Sequence, residues 1–343
     1  MENDIKVSVI VPLYNRAKFL PQLFNTLNSQ TFKNFEVILV DDGSTDDTKD
    51  WLAKNSKAIE QNVLYLYQEN AGPYAARNTG LAKAQGQFIA FQDSDDEWPE
   101  YHLKEMVEDL EVNPDIDWLF GSLRRIDHDS GVIKEESNFL KPDGKKQEFL
   151  QLRTNDRGRV KVIDDENAGQ VAIRFAVPGS TQCALIRKRV FDEHIFDASY
   201  RTAYDRFFAI KLVLLGYKFA YVEKVHQIYH IHNDHISLVA GASATKLEKS
   251  ARTMIRGYTE MISCANSQSE IKEAKIKLSE VYAWELGISL QSQGRFIESS
   301  KCFFKALLLN PFKPVYIKSL VASYVKAVVH IAKRYFGQNE PAQ

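Results

Sequence analysis

The sequence is poor in cysteine and in long apolar runs. Its three cysteines, Cys183, Cys264 and Cys302, are far apart in 343 residues, so their spacing fits neither a disulfide framework nor a zinc-ligand set. Residues 1–4 lead almost directly into an apolar segment, which leaves no room for a signal peptide. No apolar run approaches the length of a membrane span. These absences predict a cytoplasmic protein in a reducing compartment.

Charge of one sign is not in excess, and two common phosphate-binding patterns are missing. The 44 Lys and Arg are balanced by 45 Asp and Glu, for a net charge of −1. This balance gives no electrostatic signature of nucleic-acid binding, and we expect no nucleic-acid partner. Neither Gly-x-x-x-x-Gly-Lys-Ser/Thr nor Gly-x-Gly-x-x-Gly occurs, which excludes the nucleotide-triphosphatase and dinucleotide-binding classes that depend on them.

The sequence does contain two carboxylate clusters, each directly after an apolar run typical of a strand. Residues 88–91 precede one cluster and residues 35–40 precede the other. The carboxylates are Asp93, Asp95 and Asp96, and Asp41 and Asp42. Because parallel strands end at the same edge of a sheet, where ligands bind, both clusters are expected there. Mg²⁺ or Mn²⁺ with substrate phosphates would offset their repulsion. The alternative is acidic turns that cap the following helices.

Apolar periodicity predicts alternating strands and helices over the first two thirds of the chain. The predicted strands are residues 7–11 (halted by Pro12), 35–40, 63–67, 87–92 and 116–120, and two further β-rich runs are residues 218–222 and 225–231. Short connections between such units predict an α/β fold with a doubly wound, mostly parallel sheet. Residues 122–175 are highly charged and weakly periodic, so we expect a polar insertion or loops there. After residue 241 the pattern is helical only, which predicts domains 1–240 and 241–343.

The predicted helical tail has two distinct features. Residues 286–311 resemble one tetratricopeptide unit. Between Glu298 and Glu340 there is no acidic residue, whereas apolar residues recur there at steps of three and four. The cations of this stretch are Lys301, Lys305, Lys313, Lys318, Lys326, Lys333 and Arg334. Such a basic amphipathic helix either lies on an anionic membrane as a peripheral contact or packs against protein.

Five short motifs follow one another in order between residues 5 and 240. They are Val9-Ile10-Val11-Pro12-Leu13-Tyr14-Asn15, Val40-Asp41-Asp42-Gly43-Ser44-Thr45-Asp46, Ala76-Arg77-Asn78-Thr79-Gly80, Asp93-Ser94-Asp95-Asp96, and Phe196-Asp197 with Tyr204-Asp205. This set resembles family 2 of the inverting, nucleotide-sugar-dependent glycosyltransferases with the GT-A fold. The resemblance implies a GT-A type sheet followed here by an α-helical C-terminal region.

The resemblance also implies roles for the motif residues. The nucleotide-sugar-binding residues would be Pro12, Tyr14, Asn15, Asp41, Arg77, Asn78 and Asp93. A carboxylate at Asp41 suits the imide N–H of uracil, whereas Asn78 has the alternative role of a helix-packing amide. The residues that would hold Mn²⁺ or Mg²⁺ are Asp95, Asp93, Asp96 and His232. Asp205 would be the catalytic base that deprotonates the acceptor hydroxyl in a single inverting displacement.

Two positions depart from the family pattern. Tyr204 stands where the family usually has an acidic residue, and His230 stands where it usually has an arginine that contacts the diphosphate. His226, His230 and His232 alternate along one predicted strand, which raises a zinc site as an alternative. His232 would otherwise help to hold the metal or diphosphate, or would simply pack.

The expected function is transfer of a sugar from a nucleotide diphosphate sugar, with UDP-hexose as the expected donor. The acceptor would be a hydroxyl of a glycan, either lipid-linked or part of a cell-envelope polysaccharide. One alternative is a degenerate sugar-nucleotide-binding or scaffold protein that acts through its tail. Another is metal-dependent phosphoryl transfer, but residues 7–11 contain no nucleophilic aspartate.

Overall fold

The computed structural model of the chain describes residues 5–179, 181–232 and 243–336. The chain divides into two compact units, Met1–His235 and Ile236–Gln343. The predicted domain boundary at residue 240 lies outside the described residues. Each unit is described separately below.

The first unit is built around one mixed sheet. Its strands are β1 Val7–Leu13, β2 Phe35–Asp41, β3 Val63–Tyr67, β4 Phe88–Phe91, β5 Trp118–Asp127, β6 Ile133–Glu135, β7 Thr154–Arg157, β8 Val160–Ile163, β9 Ala184–Arg187 and β10 Phe219–Ile231. Its α-helices are α1 Leu20–Ser29, α2 Thr48–Asn55, α3 Pro73–Leu81, α4 His102–Val112, α5 Ala168–Phe175, α6 Lys188–Glu193 and α7 Tyr204–Leu214. Short 3₁₀ turns lie at Ala17–Phe19, Ser56–Ala58, Glu148–Gln151 and Thr181–Cys183.

The strand order confirms the predicted α/β, GT-A type architecture. The order across the sheet is β3-β2-β1-β4-β9-β5-β10-β8-β7, and β6 pairs with β5. β1, β2, β3 and β4 are mutually parallel, and β5 and β10 are parallel to each other. β9 runs antiparallel between β4 and β5, so these two share a direction. The carboxyl ends of β1, β2, β4, β5 and β10 therefore point to the same side of the sheet.

Strand β1 continues through Pro12, although the sequence predicted that Pro12 would halt it. Proline lacks an N–H, so it is tolerated in a strand only where no neighbour needs that donor. The backbone O of Ile10 accepts from Gln92 N on the side of β4. The backbone N of Pro12, two residues on, points to the same side. β4 has already ended opposite Ile10, so no β4 partner is lost at Pro12.

The expectation of loops over residues 122–175 is wrong for much of that segment. β5 continues to Asp127, and β7 and β8 add two strands beyond β10. Val160 and Val162 of β8 are buried, as are Phe149 and Leu150 of the preceding turn. The burial of these side chains makes the segment an extension of the sheet.

The second unit is helical, as the sequence predicted. It comprises α8 Ala244–Cys264, α9 Gln268–Glu280, a π-helical segment Val281–Gly287, α10 Ile288–Ser292, α11 Phe296–Leu309 and α12 Pro314–Phe336. α9 begins at a capping box in which Ser267 accepts from the Glu270 N–H and the Glu270 side chain accepts from the Ser267 N–H. Ala283, Phe303, Ala306 and Tyr316 form a small core.

One helix of this unit is long and apolar enough to cross a membrane. Within α12, Pro314–Ala332 has a mean hydropathy of 1.3, and 17% of it is buried. The sequence-based expectation that no segment reaches such a length is therefore wrong.

Candidate active site

Most of the predicted site residues lie at or directly after the carboxyl ends of β1, β2 and β4, at one edge of the sheet, whereas Arg77, Asn78 and Asp205 lie on helices and His232 follows β10. β1 ends at Leu13 and β2 at Asp41, which are paired in the parallel register. β4 ends at Phe91, opposite Ile10 of β1. Because all three strands point the same way, the two carboxylate clusters predicted from the sequence lie at the same edge.

Asp41 is buried and accepts hydrogen bonds at both carboxylate oxygens. Its Oδ1 accepts from Ser44 N at 2.8 Å, and its Oδ2 accepts from Tyr65 Oη at 2.9 Å. Gly43 makes the turn possible, since its φ is +76° and a Cβ there would lie 2.9 Å from Asn70 N. The carboxylate thus holds the turn after β2, which favours a positioning role for Asp41 in this conformation.

Asn15 joins the turn after β1 to the turn after β2. Its Oδ1 accepts from Thr45 N at 2.8 Å, and its own N–H donates to Ser44 Oγ at 2.9 Å. Asn15 has a φ of +54°, a conformation that asparagine tolerates better than most residues. Neighbouring Tyr14 is 45% exposed, so its ring is accessible for stacking on a base, while Pro12 precedes both at the end of β1.

Asp93 lies between an arginine and a glutamine. Arg77 Nη2 donates to its Oδ1 at 3.1 Å, and Gln182 Nε2 donates to its Oδ2 at 2.6 Å. Arg77 is 5% exposed, and its guanidinium lies 5.5 Å from the ring centroid of Tyr74. The Asp93 side chain remains 31% exposed, so its oxygens are still accessible to a ligand.

Asp95 faces two cationic or ionisable groups. His232 Nε2 lies 3.2 Å from Asp95 Oδ2, and Arg16 Nη2 lies 3.6 Å from the same oxygen. His232 packs against the Phe19 ring at a centroid distance of 5.1 Å. The structure therefore brings together Asp95 and His232, two of the residues predicted to hold a metal.

Asp96 is directed inward, unlike Asp93. Its Oδ2 accepts from Gln227 Nε2 at 2.6 Å, and its Oδ1 accepts from His230 N at 3.1 Å. Burial and the adjacent charges of Asp95 and Asp93 raise the pKa of the Asp96 carboxyl well above its ordinary value. This geometry favours Asp93 and Asp95 over Asp96 as metal ligands, with Asp96 anchoring β10 beneath them.

Of the three alternating histidines, His226 and His230 lie in β10 and His232 follows its last residue, and each has a different short polar contact. His226 Nδ1 lies 3.2 Å from His102 Nδ1, His230 Nε2 lies 2.7 Å from Glu97 Oε1, and His232 contacts Asp95. Within the described ranges, no group of three or more His, Cys, Asp or Glu side chains is arranged to hold a metal ion. The structure does not assemble the zinc site that their spacing raised as an alternative.

Asp205, the predicted base, lies in the first turn of α7. Tyr74 Oη donates to Asp205 Oδ1 at 3.0 Å and accepts from Tyr204 N at 2.8 Å. Tyr74 is buried, and burial together with the Asp205 charge raises the pKa of its phenol. Asp205 itself remains partly exposed. Tyr74 thus fixes one carboxylate oxygen of a side chain that is only partly buried.

Asn78 does not point its amide at the carboxylate clusters. Its Nδ2 donates to Phe196 O at 2.8 Å, and its Oδ1 accepts from Phe196 N at 3.0 Å. Phe196 packs against Phe208 of α7, with ring centroids 4.6 Å apart. This arrangement favours the helix-packing alternative for Asn78, in which it ties α3 to the segment before α7.

Sequence reasoning missed Tyr65, Tyr74, Gln182 and Arg16. Tyr74 and Asp205 are 131 residues apart, and Gln182 and Asp93 are 89 apart. Periodicity reports only local structure, so it carries no signal for such pairs. Tyr74 has one local signal, its place directly after Gly72-Pro73 at the start of α3.

Residues 8–194 match the profile of the family described as Glycosyl transferase family 2. The chain belongs to this family. The matched range covers β1 to α6 and contains Asp41, Arg77, Asp93 and Asp95, whereas Asp205 lies just beyond it. The chain spans only about 15% and 32% of the lengths of two longer curated relatives that it also matches.

Three individual proteins illustrate the similarity. The GalNAc(5)-diNAcBac-PP-undecaprenol beta-1,3-glucosyltransferase of Campylobacter jejuni is 26% identical over 317 residues, 91% of each chain. S. aureus TarS 1–349 in complex with UDP-GlcNAc has a TM-score of 0.62 at 20% identity, over 96% of this chain and 92% of TarS 1–349. Mannosyltransferase PcManGT from Pyrobaculum calidifontis, in complex with GDP-Man and Mn²⁺, has a TM-score of 0.54 at 18% identity, over 98% and 88%. These two structures share the fold.

Proposed function

We propose that this family 2 member is an inverting, metal-dependent hexosyltransferase that uses a UDP-hexose donor. The observation that carries the proposal is the position of Asp205 at the start of α7, hydrogen-bonded to buried Tyr74, in a fold whose sheet edge presents Asp93 and Asp95. An oriented, partly exposed carboxylate and an acidic strand end are the two groups that this reaction needs.

The donor nucleotide would bind at the turns after β1 and β2. Exposed Tyr14 offers a face for stacking on the base, and Asp41 and Asn15 hold the two turns in register. Arg77 is close enough to Asp93 to fix its orientation and to add positive charge next to the diphosphate. The similar structures in complex with UDP-GlcNAc and GDP-Man support a nucleotide-sugar donor.

A divalent cation would be held by Asp95 and Asp93 together with phosphate oxygens of the donor, because the described residues contain no group of three or more His, Cys, Asp or Glu side chains arranged as ligands; His232 contacts Asp95. These oxygen ligands suit Mn²⁺ or Mg²⁺, and the contacts of Asp95 Oδ2 with His232 and Arg16 orient this carboxylate at the sheet edge. The metal would neutralise the charge that develops on the leaving diphosphate. The Mn²⁺ in the complex of PcManGT supports this cofactor.

Asp205 would remove the proton from the acceptor hydroxyl as that hydroxyl attacks the anomeric carbon. Tyr74 keeps one oxygen of Asp205 occupied, so the proton would be taken by the other. A direct displacement inverts the anomeric centre and needs no covalent intermediate. The base contributes on the order of 10²–10⁴ in rate.

The acceptor in this proposal is a polyprenol-linked glycan of the cell envelope at the cytoplasmic face of the membrane. The Campylobacter jejuni relative, which this chain matches over 91% of both lengths, is named for an undecaprenol-linked acceptor. A putative teichuronic acid biosynthesis glycosyltransferase of Bacillus subtilis, 42% identical over 103 residues, adds support for an envelope polysaccharide.

The test compares Asp205→Asn with a matched carboxylate variant, Asp192→Asn, at an exposed residue of α6. We expect Asp205→Asn to lower turnover by roughly 10² or more and to leave the Kd for UDP with Mn²⁺ unchanged. Asp192→Asn should match the wild type in both. The product anomer, determined by NMR, should be opposite to that of the donor. Retention of configuration, or normal turnover by Asp205→Asn, would contradict the proposal.

A further inference from the structure

Helix α12 packs against the second unit with one narrow face. Tyr316, Ser323 and Ala327, spaced by seven and four residues, are buried. Tyr316 Oη lies 3.1 Å from Ser279 Oγ, and Ser323 Oγ donates to Phe296 O at 3.1 Å. These contacts fix the rotation of the helix about its own axis, so the opposite face is directed away from the unit.

The exposed flank of α12 beside this buried face, which we call the outer face of α12, is apolar. It consists of Ile317, Val321, Tyr324, Val325, Val328, Val329 and Ile331, which are between 43% and 64% exposed. They recur at steps of three and four, so they form one continuous stripe along the helix. The turn before α12 adds Phe312, which at 93% is the most exposed large apolar side chain of the described part of the chain. A stripe of this size marks an interaction surface.

The charge around the outer face is of one sign. Lys318 and Lys326 are exposed on α12, and Lys301 and Lys305 are exposed on α11. From residue 299 to residue 339 the sequence contains no Asp or Glu. This segment is therefore strongly basic, although the whole chain has a net charge of only −1. The surface that complements it must be both apolar and anionic.

An anionic lipid bilayer has both properties. A second copy of the chain is a poor occupant, because two-fold pairing of this face would bring the same cations together without an acidic partner. A transmembrane orientation would strip Tyr316 and Ser323 of the contacts that bury them. We propose that the outer face of α12 docks in the plane of an anionic membrane, with its apolar stripe in the interface and Lys318 and Lys326 at the lipid phosphates.

This proposal is independent of the catalytic assignment, because it rests only on residues of the second unit. The experiment is flotation of the full chain with vesicles of phosphatidylcholine alone, or of phosphatidylcholine mixed with phosphatidylglycerol. We expect the protein to float with the mixed vesicles at low salt, and much less with neutral vesicles or at high salt.

Two variants separate the electrostatic and apolar contributions. Lys318→Gln with Lys326→Gln should weaken binding to the mixed vesicles by about fivefold per lysine, or roughly 25-fold together. Val321→Gln with Val325→Gln should weaken it at least about tenfold. All four side chains are exposed, so the α-helical signal and the melting temperature should stay close to those of the wild type.

Matched controls come from the first unit. Lys49→Gln with Lys54→Gln removes two exposed cations of α2, and Val112→Gln removes a valine that is 76% exposed. Both should float like the wild type. Failure of the full chain to bind mixed vesicles at low salt would overturn the proposal. The proposal would also be overturned if the full chain self-associates without lipid and Val321→Gln with Val325→Gln abolishes that self-association. A second copy of the chain would then be the occupant of the outer face.

Discussion

Two tyrosines of the site each donate a hydrogen bond to one carboxylate, and their removal should have separable effects. Tyr74 Oη lies 3.0 Å from Asp205 Oδ1, and Tyr65 Oη lies 2.9 Å from Asp41 Oδ2. Tyr→Phe deletes the hydroxyl in each case and keeps the ring. We expect Tyr74→Phe to impair the chemical step and Tyr65→Phe to impair donor binding.

The magnitude follows from the kind of bond that is lost. A hydrogen bond to a charged group contributes about 1.5–3 kcal/mol, and each 1.36 kcal/mol is a factor of ten in rate. If the Tyr74 bond is needed to orient Asp205, Tyr74→Phe should lower kcat about 10- to 150-fold. The variant should also lose about 1–3 kcal/mol of unfolding free energy, because Tyr204 N–H loses the hydroxyl that accepts from it at 2.8 Å.

The assay is steady-state kinetics with varied nucleotide sugar, together with calorimetric titration of UDP in the presence of Mn²⁺. Tyr74→Phe should reduce kcat with the Kd for UDP unchanged, whereas Tyr65→Phe should raise the Kd and the donor KM with kcat unchanged. Stability loss alone, with wild-type kcat for folded Tyr74→Phe, would refute the positioning argument. A raised donor KM for Tyr74→Phe at normal kcat would instead place Tyr74 on the donor side.

Three further predictions concern the metal, the pH dependence and the backbone. Asp95→Ala should abolish transfer and the Mn²⁺-dependent part of UDP binding while barely changing the melting temperature; near-normal turnover would refute the metal assignment. Burial, with lesser effects of Lys224 and Arg159, lowers the pKa of His226 to about 3, so the unfolded chain binds the extra proton. The free energy of unfolding should therefore fall as the pH drops from about 6.5 towards 3, and at about pH 4.5 it should be about 2–3 kcal/mol lower. Urea unfolding at about pH 6.5 and at about pH 4.5 measures this difference. If His226→Gln leaves the pH dependence of the unfolding free energy unchanged, the prediction is contradicted. Ala203, before α7, has a φ of +64°, so Ala203→Gly should raise the free energy of unfolding by about 0.5–1 kcal/mol; calorimetric destabilisation would show that the conformation is not strained.

The sequence predicted the sheet edge well because the strands that form it are buried on both faces. Every residue of β2 is buried, and so is every residue of β4. Their side chains are apolar throughout β4 and from residue 37 to residue 40 of β2, as expected of strands covered on both faces. The residues that follow such runs must lie at the carboxyl edge of a parallel sheet. For this reason the positions of Asp41 and Asp93 at one edge could be predicted from sequence alone.

The orientation of individual carboxylates could not be predicted in the same way. Asp95 and Asp96 are adjacent in sequence, yet only Asp95 contacts His232, while both oxygens of Asp96 accept from β10. Which of the two faces the ligand depends on where Gln227 and His230 lie in the folded chain. Those residues are 131 and 134 positions away from Asp96, so neither periodicity nor spacing near Asp96 reports them.

Strands β7 and β8 could not be predicted for a related physical reason. Val160 and Val162 alternate with Lys161 and Ile163, but four residues are too few for the alternation to stand out from a charged loop. A two-stranded hairpin of this length is marginal in water. β8 is stable because it pairs with Val222 and its neighbours in β10 and because Val160 and Val162 enter the core. A segment whose structure depends on a distant partner carries little signal of its own. The partner β10 (Phe219–Ile231) is longer, and its sequence predicted two β-rich runs, residues 218–222 and 225–231.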